Sequence, residues 1–143
     1  MKKNILLFVI IAIVILILVC YQIINIKNAK KEVLKYNSEF EKYTGKEIYG
    51  TDIVTIINKA IDNNERNKIK IDDDGFYIND NINYIGVEIH ITTNEKTYKM
   101  ETINKVGVIN FISNFNLVSF RCTYIEYHQN GKISKMVFTQ IDQ

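Results

Sequence analysis

Hydrophobic and polar positions divide the chain into three patterns. From Ile5 to Cys20 no side chain is charged or strongly polar. Tyr21, Gln22 and Asn25 then interrupt a run that continues through Ile23, Ile24 and Ile26. About 22 residues at a rise of 1.5 Å give roughly 33 Å of helix, enough to cross the hydrocarbon core of a bilayer. Only a helix satisfies its own backbone in lipid, so the many β-branched residues do not argue against one here. The prediction is a membrane-spanning helix over residues 5–26, with the lipid bilayer as its partner.

The second pattern is amphipathic. Ile26, Ala29, Val33, Tyr36, Phe40 and Tyr43 recur at spacings of three and four, with Lys30, Lys31, Glu32, Lys35, Glu39, Glu41 and Lys42 largely on the other faces. This predicts a stalk helix that continues the span and ends at Gly45, a residue suited to a left-handed cap. About two and a half heptads fall short of the three or four that sustain a coiled coil. The stripe is therefore expected to pack on the chain's own sheet, with self-association through the stalk as the competing arrangement.

The third pattern is a mixture of short periods. Ile53, Ile56, Ile57, Ala60 and Ile61 fall at i, i+3, i+4, i+7 and i+8, a helix with Thr51 or Asp52 as N-cap and Asp62 to Asn64 at its end. Lys68–Ile71 and Phe76–Ile78 read as short strands around an Asp72-Asp73-Asp74-Gly75 turn. Ile85, Val87, Ile89 and Ile91 alternate with Gly86, Glu88, His90 and Thr92, a half-buried strand. Asn94-Glu95 turns the chain, and residues 97–102 return.

Asn130-Gly131 between Tyr124–His128 and Ile133–Phe138 predicts a hairpin with a two-residue type I′ turn. That register sets Gln129 opposite Lys132, Glu126 opposite Lys135, Tyr124 beside Val137 and Ile125 beside Met136. Residues 103–115 fit either a helix or a hairpin. The likeness of Gly107-Val108-Ile109-Asn110 to Gly131-Lys132-Ile133-Ser134, each following a Thr-Tyr strand start, favours the hairpin. The fold class is α+β: a transmembrane helix continuing into an amphipathic stalk, and one further helix packed on a small antiparallel β-meander sheet. The expected division is residues 1–27 as membrane anchor and 28–143 as stalk plus an extracytoplasmic head.

Composition changes this picture in two places. The net charge of +2 comes from the membrane flanks, because Lys2, Lys3 and Lys27 outweigh it. From Asn28 onward the chain carries one net negative charge and shows no basic footprint, so nucleic acid is not an expected partner. Cys20 lies in the span and Cys122 stands alone beyond it, which allows no disulfide within the head. The abundant asparagines are read as compositional.

A cleavable leader needs small residues before its cleavage site, which Ile17–Tyr21 lacks, and a lipoprotein signal needs a small residue where Val19 precedes Cys20. The span is therefore expected to remain as a signal-anchor. Lys2 and Lys3 place the short tail in the cytoplasm, against Lys27, Lys30, Lys31 and Lys35 at the other end, and the head is expected outside the cell. Those four lysines are read as stopping the span at the headgroups.

Tyr36-Asn37-Ser38-Glu39-Phe40-Glu41-Lys42-Tyr43-Thr44-Gly45, followed by Gly50-Thr51-Asp52-Ile53-Val54 and Ile56-Ile57, resembles the N-terminal signature of uncharacterised membrane-anchored proteins of Firmicutes. These share the pattern FNSxFExYxG directly after a single span. The likeness covers roughly residues 36–64, with Tyr36 in place of the first Phe. It implies the same topology and no activity.

Candidate chemistry is sparse. Glu88-x-His90 and Glu126-x-His128 would each turn a carboxylate and an imidazole to one face of a strand. If the two strands were neighbours, four ligands could meet on a metal. A polar outer sheet face explains both pairs more simply. Asp72–Gly75 lacks the later ligands of an EF-hand loop and reads as a solvated turn. Cys122 alternates with Phe120 and Tyr124, as a small core residue would. No catalytic, metal or cofactor-binding residue is assigned. The expected role is a membrane-tethered, non-catalytic domain acting by binding or envelope assembly. A pilin-like subunit is the first alternative, although no Gly/Ala-Phe processing site and no early glutamate are present. A metal-dependent hydrolase is the second.

Overall fold

The computed structural model describes residues 2–141. Met1 and the side chains of Lys2 and Lys3, on which the expected orientation partly rests, lie outside the described residues. The chain forms two compact units, Met1–Lys35 and Tyr36–Gln143. The first consists of helix α1, Lys2–Glu41, up to Lys35. From Ile5 to Ile26 its apolar side chains are all exposed, and the helix is long and apolar enough to cross a membrane.

The second unit is α+β. After the last turns of α1 come β1 (Glu47–Tyr49), α2 (Gly50–Arg66), β2 (Gly86–Ile91), β3 (Lys96–Lys99), α3 (Met100–Val106), α4 (Val108–Phe115), β4 (Ser119–Tyr127) and β5 (Ile133–Gln140). The strands form one sheet in the order β1-β4-β5-β2-β3. Its neighbours are antiparallel except β2 and β5, which run parallel, so the expected antiparallel meander is a mixed sheet. β1 was not foreseen at all. The expected strands 68–71 and 76–78 shrink to an isolated bridge between Ile71 and Tyr77 around the Asp72–Gly75 turn.

One core lies between the helices and one sheet face. Ile85, Val87, Ile89 and Ile91 are buried as their alternation predicts, and so are Ile53, Ile56, Ile57 and Ala60 of α2. Tyr36, Phe40 and Tyr43 join the same core, so within this unit the stripe does pack on the chain's own sheet. The helix stops at Glu41, and Gly45 takes the left-handed conformation. Asp52 accepts a hydrogen bond from the Tyr49 N–H at 3.2 Å, which places it three residues into α2 rather than at its N-cap. Gly50 opens that helix because a Cβ there would lie 2.1 Å from the Phe115 carbonyl oxygen.

Residues 103–115 are helical, which corrects the expected hairpin. Both glycines of the apparent repeat do adopt positive φ, but Gly107 hinges α3 to α4 whereas Gly131 turns a hairpin. The deciding interaction is aromatic. Phe111 and Phe115, four apart on α4, stack at 4.9 Å and reach Phe120 of β4 at 6.3 and 6.4 Å. Such a cluster needs the i, i+4 geometry of a helix.

The β4–β5 hairpin keeps the predicted pairs Glu126/Lys135, Tyr124/Val137 and Ile125/Met136. Its turn is different. The Gly131 N–H donates to the His128 carbonyl and the His128 N–H to the Lys132 carbonyl, so the loop has three residues with Gly131 alone at positive φ. Two register shifts follow, one at Thr123 on β4 and one at Ser134 on β5. The first inverts the alternation beyond it. Phe120 is buried and Ile125 packs on the core, whereas Tyr124, expected on the same face as Phe120 and opposite to Ile125, is 52% exposed.

Candidate functional site

The two Glu-x-His pairs stand on strands that do not touch, because β5 runs between β2 and β4. Two inter-strand spacings, about 10 Å, separate them. Three of the four groups are also engaged locally. Glu88 pairs with Lys135 at 2.9 Å, and the His90 Nδ1 lies 3.1 Å from the Thr97 hydroxyl. His128 Nε2 lies 2.8 Å from the Tyr84 carbonyl oxygen, which requires a proton on that nitrogen and removes it as a metal ligand. The predicted Glu126–Lys135 pairing exists as register, but the ion pair of Lys135 is made with Glu88. Among the described residues no three His, Cys, Asp or Glu side chains gather as metal ligands would.

Asp72–Gly75 is a turn held by its own backbone, with the Gly75 N–H on the Asp72 carbonyl and the Phe76 N–H on the Asp72 carboxylate at 2.8 Å. Cys122 is half-buried, and burial pushes its thiol above the ordinary range, opposed by a weak contact with the Tyr124 carbonyl. It therefore remains a thiol at neutral pH, the inert rather than the nucleophilic form.

Recesses lie elsewhere, among them an open one of about 300 Å³ at Leu117, Val118, Ser119, Gln140 and Ile141, which among the described residues holds no carboxylate, imidazole, amine or thiol. A polar pocket of about 60 Å³ is bounded by Tyr84, Glu88, Lys99, Glu101 and Lys135. It exists because Gly86 lets the Tyr84 ring lie on the strand, where a Cβ would meet its hydroxyl at 2.4 Å. Burial, then Glu101, Glu88 and Glu126, push the Tyr84 phenol up to about 12. Glu101 is only 7% exposed and accepts the Tyr77 N–H at 3.2 Å. Beside it the Phe76 ring carries the ammonium groups of Lys99 and Lys105 at 4.9 and 4.8 Å. The pocket has room for about two waters and no organic substrate.

A further recess, about 190 Å³, is an apolar cleft between Tyr98, α3 and α4, lined chiefly by Ile103, Val106, Phe111 and Phe115. It is smaller than the ~300–1,000 Å³ of ordinary small-molecule sites. Its polar lining is Tyr98, Thr102, Asn110 and Asn114, with no carboxylate, imidazole, amine or thiol.

No protein-family model, curated protein or solved structure matches this chain.

Three asparagines dismissed as compositional prove structural. Asn37 donates to the Gly131 carbonyl at 2.9 Å and accepts from the Ile133 N–H at 3.0 Å. Asn64, fully buried on α2, does the same for both backbone groups of Ile85, at 2.8 and 3.0 Å. Asn63 donates to the Asn83 carbonyl at 2.7 Å. Each amide supplies the partner that a missing strand would have supplied, and a buried backbone group must have one. Asn37, with Tyr36 donating to the Ile133 carbonyl at 3.3 Å, also gives the Tyr36–Gly45 signature a physical role. The segment fastens the end of α1 to the tip of the β4–β5 hairpin.

Proposed function

We propose that this protein is a single-pass membrane-tethered domain whose head lies outside the cell and acts by binding or by taking part in an envelope assembly, without catalysis. The observation that carries the tether is the helix from Ile5 onward, apolar and exposed over a length that fits a bilayer. The lysines that flank it and the likeness of residues 36–64 to a post-span signature support the same topology. The role of the head as a binder rests on what its recesses offer. The polar pocket is too small for a substrate. Among the described residues neither the apolar cleft nor the open recess at Leu117 and Ile141 holds a carboxylate, imidazole, amine or thiol, and the Cys122 thiol is held protonated.

A pilin-like subunit is the second reading. It draws support from the burial of Phe40 at the end of a long, apolar-started N-terminal helix.

Protease added to intact cells tests the orientation. The expected result is digestion beyond Asn28. A head that stays intact until the cells are opened would place it in the cytoplasm and replace the whole set of candidate partners.

A further inference from the structure

The two edges of the sheet are built differently. The β3 edge is four residues long and is flanked by Lys96 and Lys99, the kind of charge that keeps an edge from pairing. At the other edge, β1 covers only Ser119–Arg121 of β4. Among the described residues no strand lies beside the remaining stretch, 122–127. Its sequence, Cys-Thr-Tyr-Ile-Glu-Tyr, is rich in strand formers and contains neither lysine nor proline. Tyr124 and Tyr127 are 52% and 50% exposed.

The hairpin shows which backbone groups face outward. The His128 N–H bonds to the Lys132 carbonyl across the turn. Both backbone groups of a strand residue point to the same side, and the side alternates along the chain. Glu126 therefore faces β5, and Ile125 and Tyr127 direct their N–H and C=O groups to the open edge. These are obligatory donors and acceptors beside exposed aromatic surface.

We propose that the open edge of β4 pairs antiparallel with β4 of a second copy of this chain, about a two-fold axis at Ile125, joining two five-stranded sheets into one. In that register Ile125 meets its own copy in an outward-facing hydrogen-bonded pair, Thr123 lies opposite Tyr127, and Tyr124 lies opposite Glu126. No like charges face each other, and the Tyr124 phenol can donate to the Glu126 carboxylate. Centring on Glu126 would set two carboxylates together and turn the wrong backbone groups to the axis. Centring on Tyr127 would bring the turn, rather than strand, opposite the edge. A two-fold pairing uses one self-complementary patch, which this stretch provides. The inference names a partner for the binding or assembly role proposed above, and rests on that reading only for confining two copies to one membrane, which raises their effective concentration.

Cysteine cross-linking of the full chain in isolated membranes tests it, in a Cys20→Ser, Cys122→Ser background. Ile125→Cys should yield a disulfide-linked dimer on oxidation, because Cα atoms about 5.5 Å apart in a hydrogen-bonded pair lie within disulfide reach. Tyr127→Pro, which removes an outward donor, should abolish that product. Since Ile125 also packs on the core, a second arm uses exposed positions. Thr123→Cys and Tyr127→Cys chains made together should cross-link to each other, and Lys96→Cys on the β3 edge should not. Absence of dimer in both arms would overturn the pairing, as would equal cross-linking through Lys96→Cys or an adduct with the mass of another protein. The result is separable from topology. A head digested on intact cells yet never cross-linked loses only the pairing, and a cross-linked head that resists protease loses only the outward orientation.

Discussion

A chain shortened to begin at Thr44 is expected to lose the cooperative folding of its head. The truncation removes Phe40 and Tyr43, which are 2% and 8% exposed, and the partly buried Tyr36. Burial of a large apolar side chain contributes about 1.5–3 kcal/mol. The same cut removes Asn37, leaving the buried Ile133 N–H without its acceptor. An orphaned buried donor costs a further ~1–3 kcal/mol. Together these losses reach the ~5–15 kcal/mol that holds a domain folded. Thermal melts followed by circular dichroism, against a chain beginning at Asn28, provide the check. The longer chain should melt cooperatively and the shorter should show no transition. Matching melts would mean that the Tyr36–Tyr43 stripe belongs to a stalk interface and not to the core.

Ile57→Asp should be nearly as damaging by a different route. Ile57 is fully buried on α2 among Ile53, Ile56 and Ala60. Among the described residues no lysine or arginine is buried, so a carboxylate placed there is unpaired and costs several kcal/mol. Ile57→Ala, which removes volume without adding charge, should cost about 2–5 kcal/mol and provides a graded comparison. Denaturant titration of both variants measures the difference. An Ile57→Asp head as stable as the parent would show that α2 turns this face to solvent.

The parts of this fold that were legible in the sequence are those set by local period. The spacing of Ile53, Ile56, Ile57 and Ala60 located α2, and the alternation from Ile85 to Ile91 located β2 and its inner face. The pairs Glu126/Lys135 and Tyr124/Val137 match the reading although the turn has three residues instead of two, because the extra residue at Ser134 restores the register. What failed depended on contacts between distant segments. Nothing local in β2 or β5 announces that they lie parallel, and that one adjacency places β5 between the two Glu-x-His pairs. The inserted residue at Thr123 inverts which side of β4 is buried, so Tyr124 emerges where a core residue was expected. Asn37, Asn63 and Asn64 could not be told from their compositional background, because their partners are backbone groups about 20 to 96 residues away. The open edge of β4 was hidden for the same reason: a strand's sequence does not show how far its neighbour extends.

The central claim is that residues 5–26 remain on the protein as its anchor. The most direct measurement is the intact mass of the protein recovered from membranes stripped at alkaline pH, which releases peripheral proteins and retains spanning ones. A species in the membrane pellet whose mass includes residues 5–26 is the predicted result. A soluble species, or one whose mass shows that the apolar segment has been cleaved away, would contradict the account.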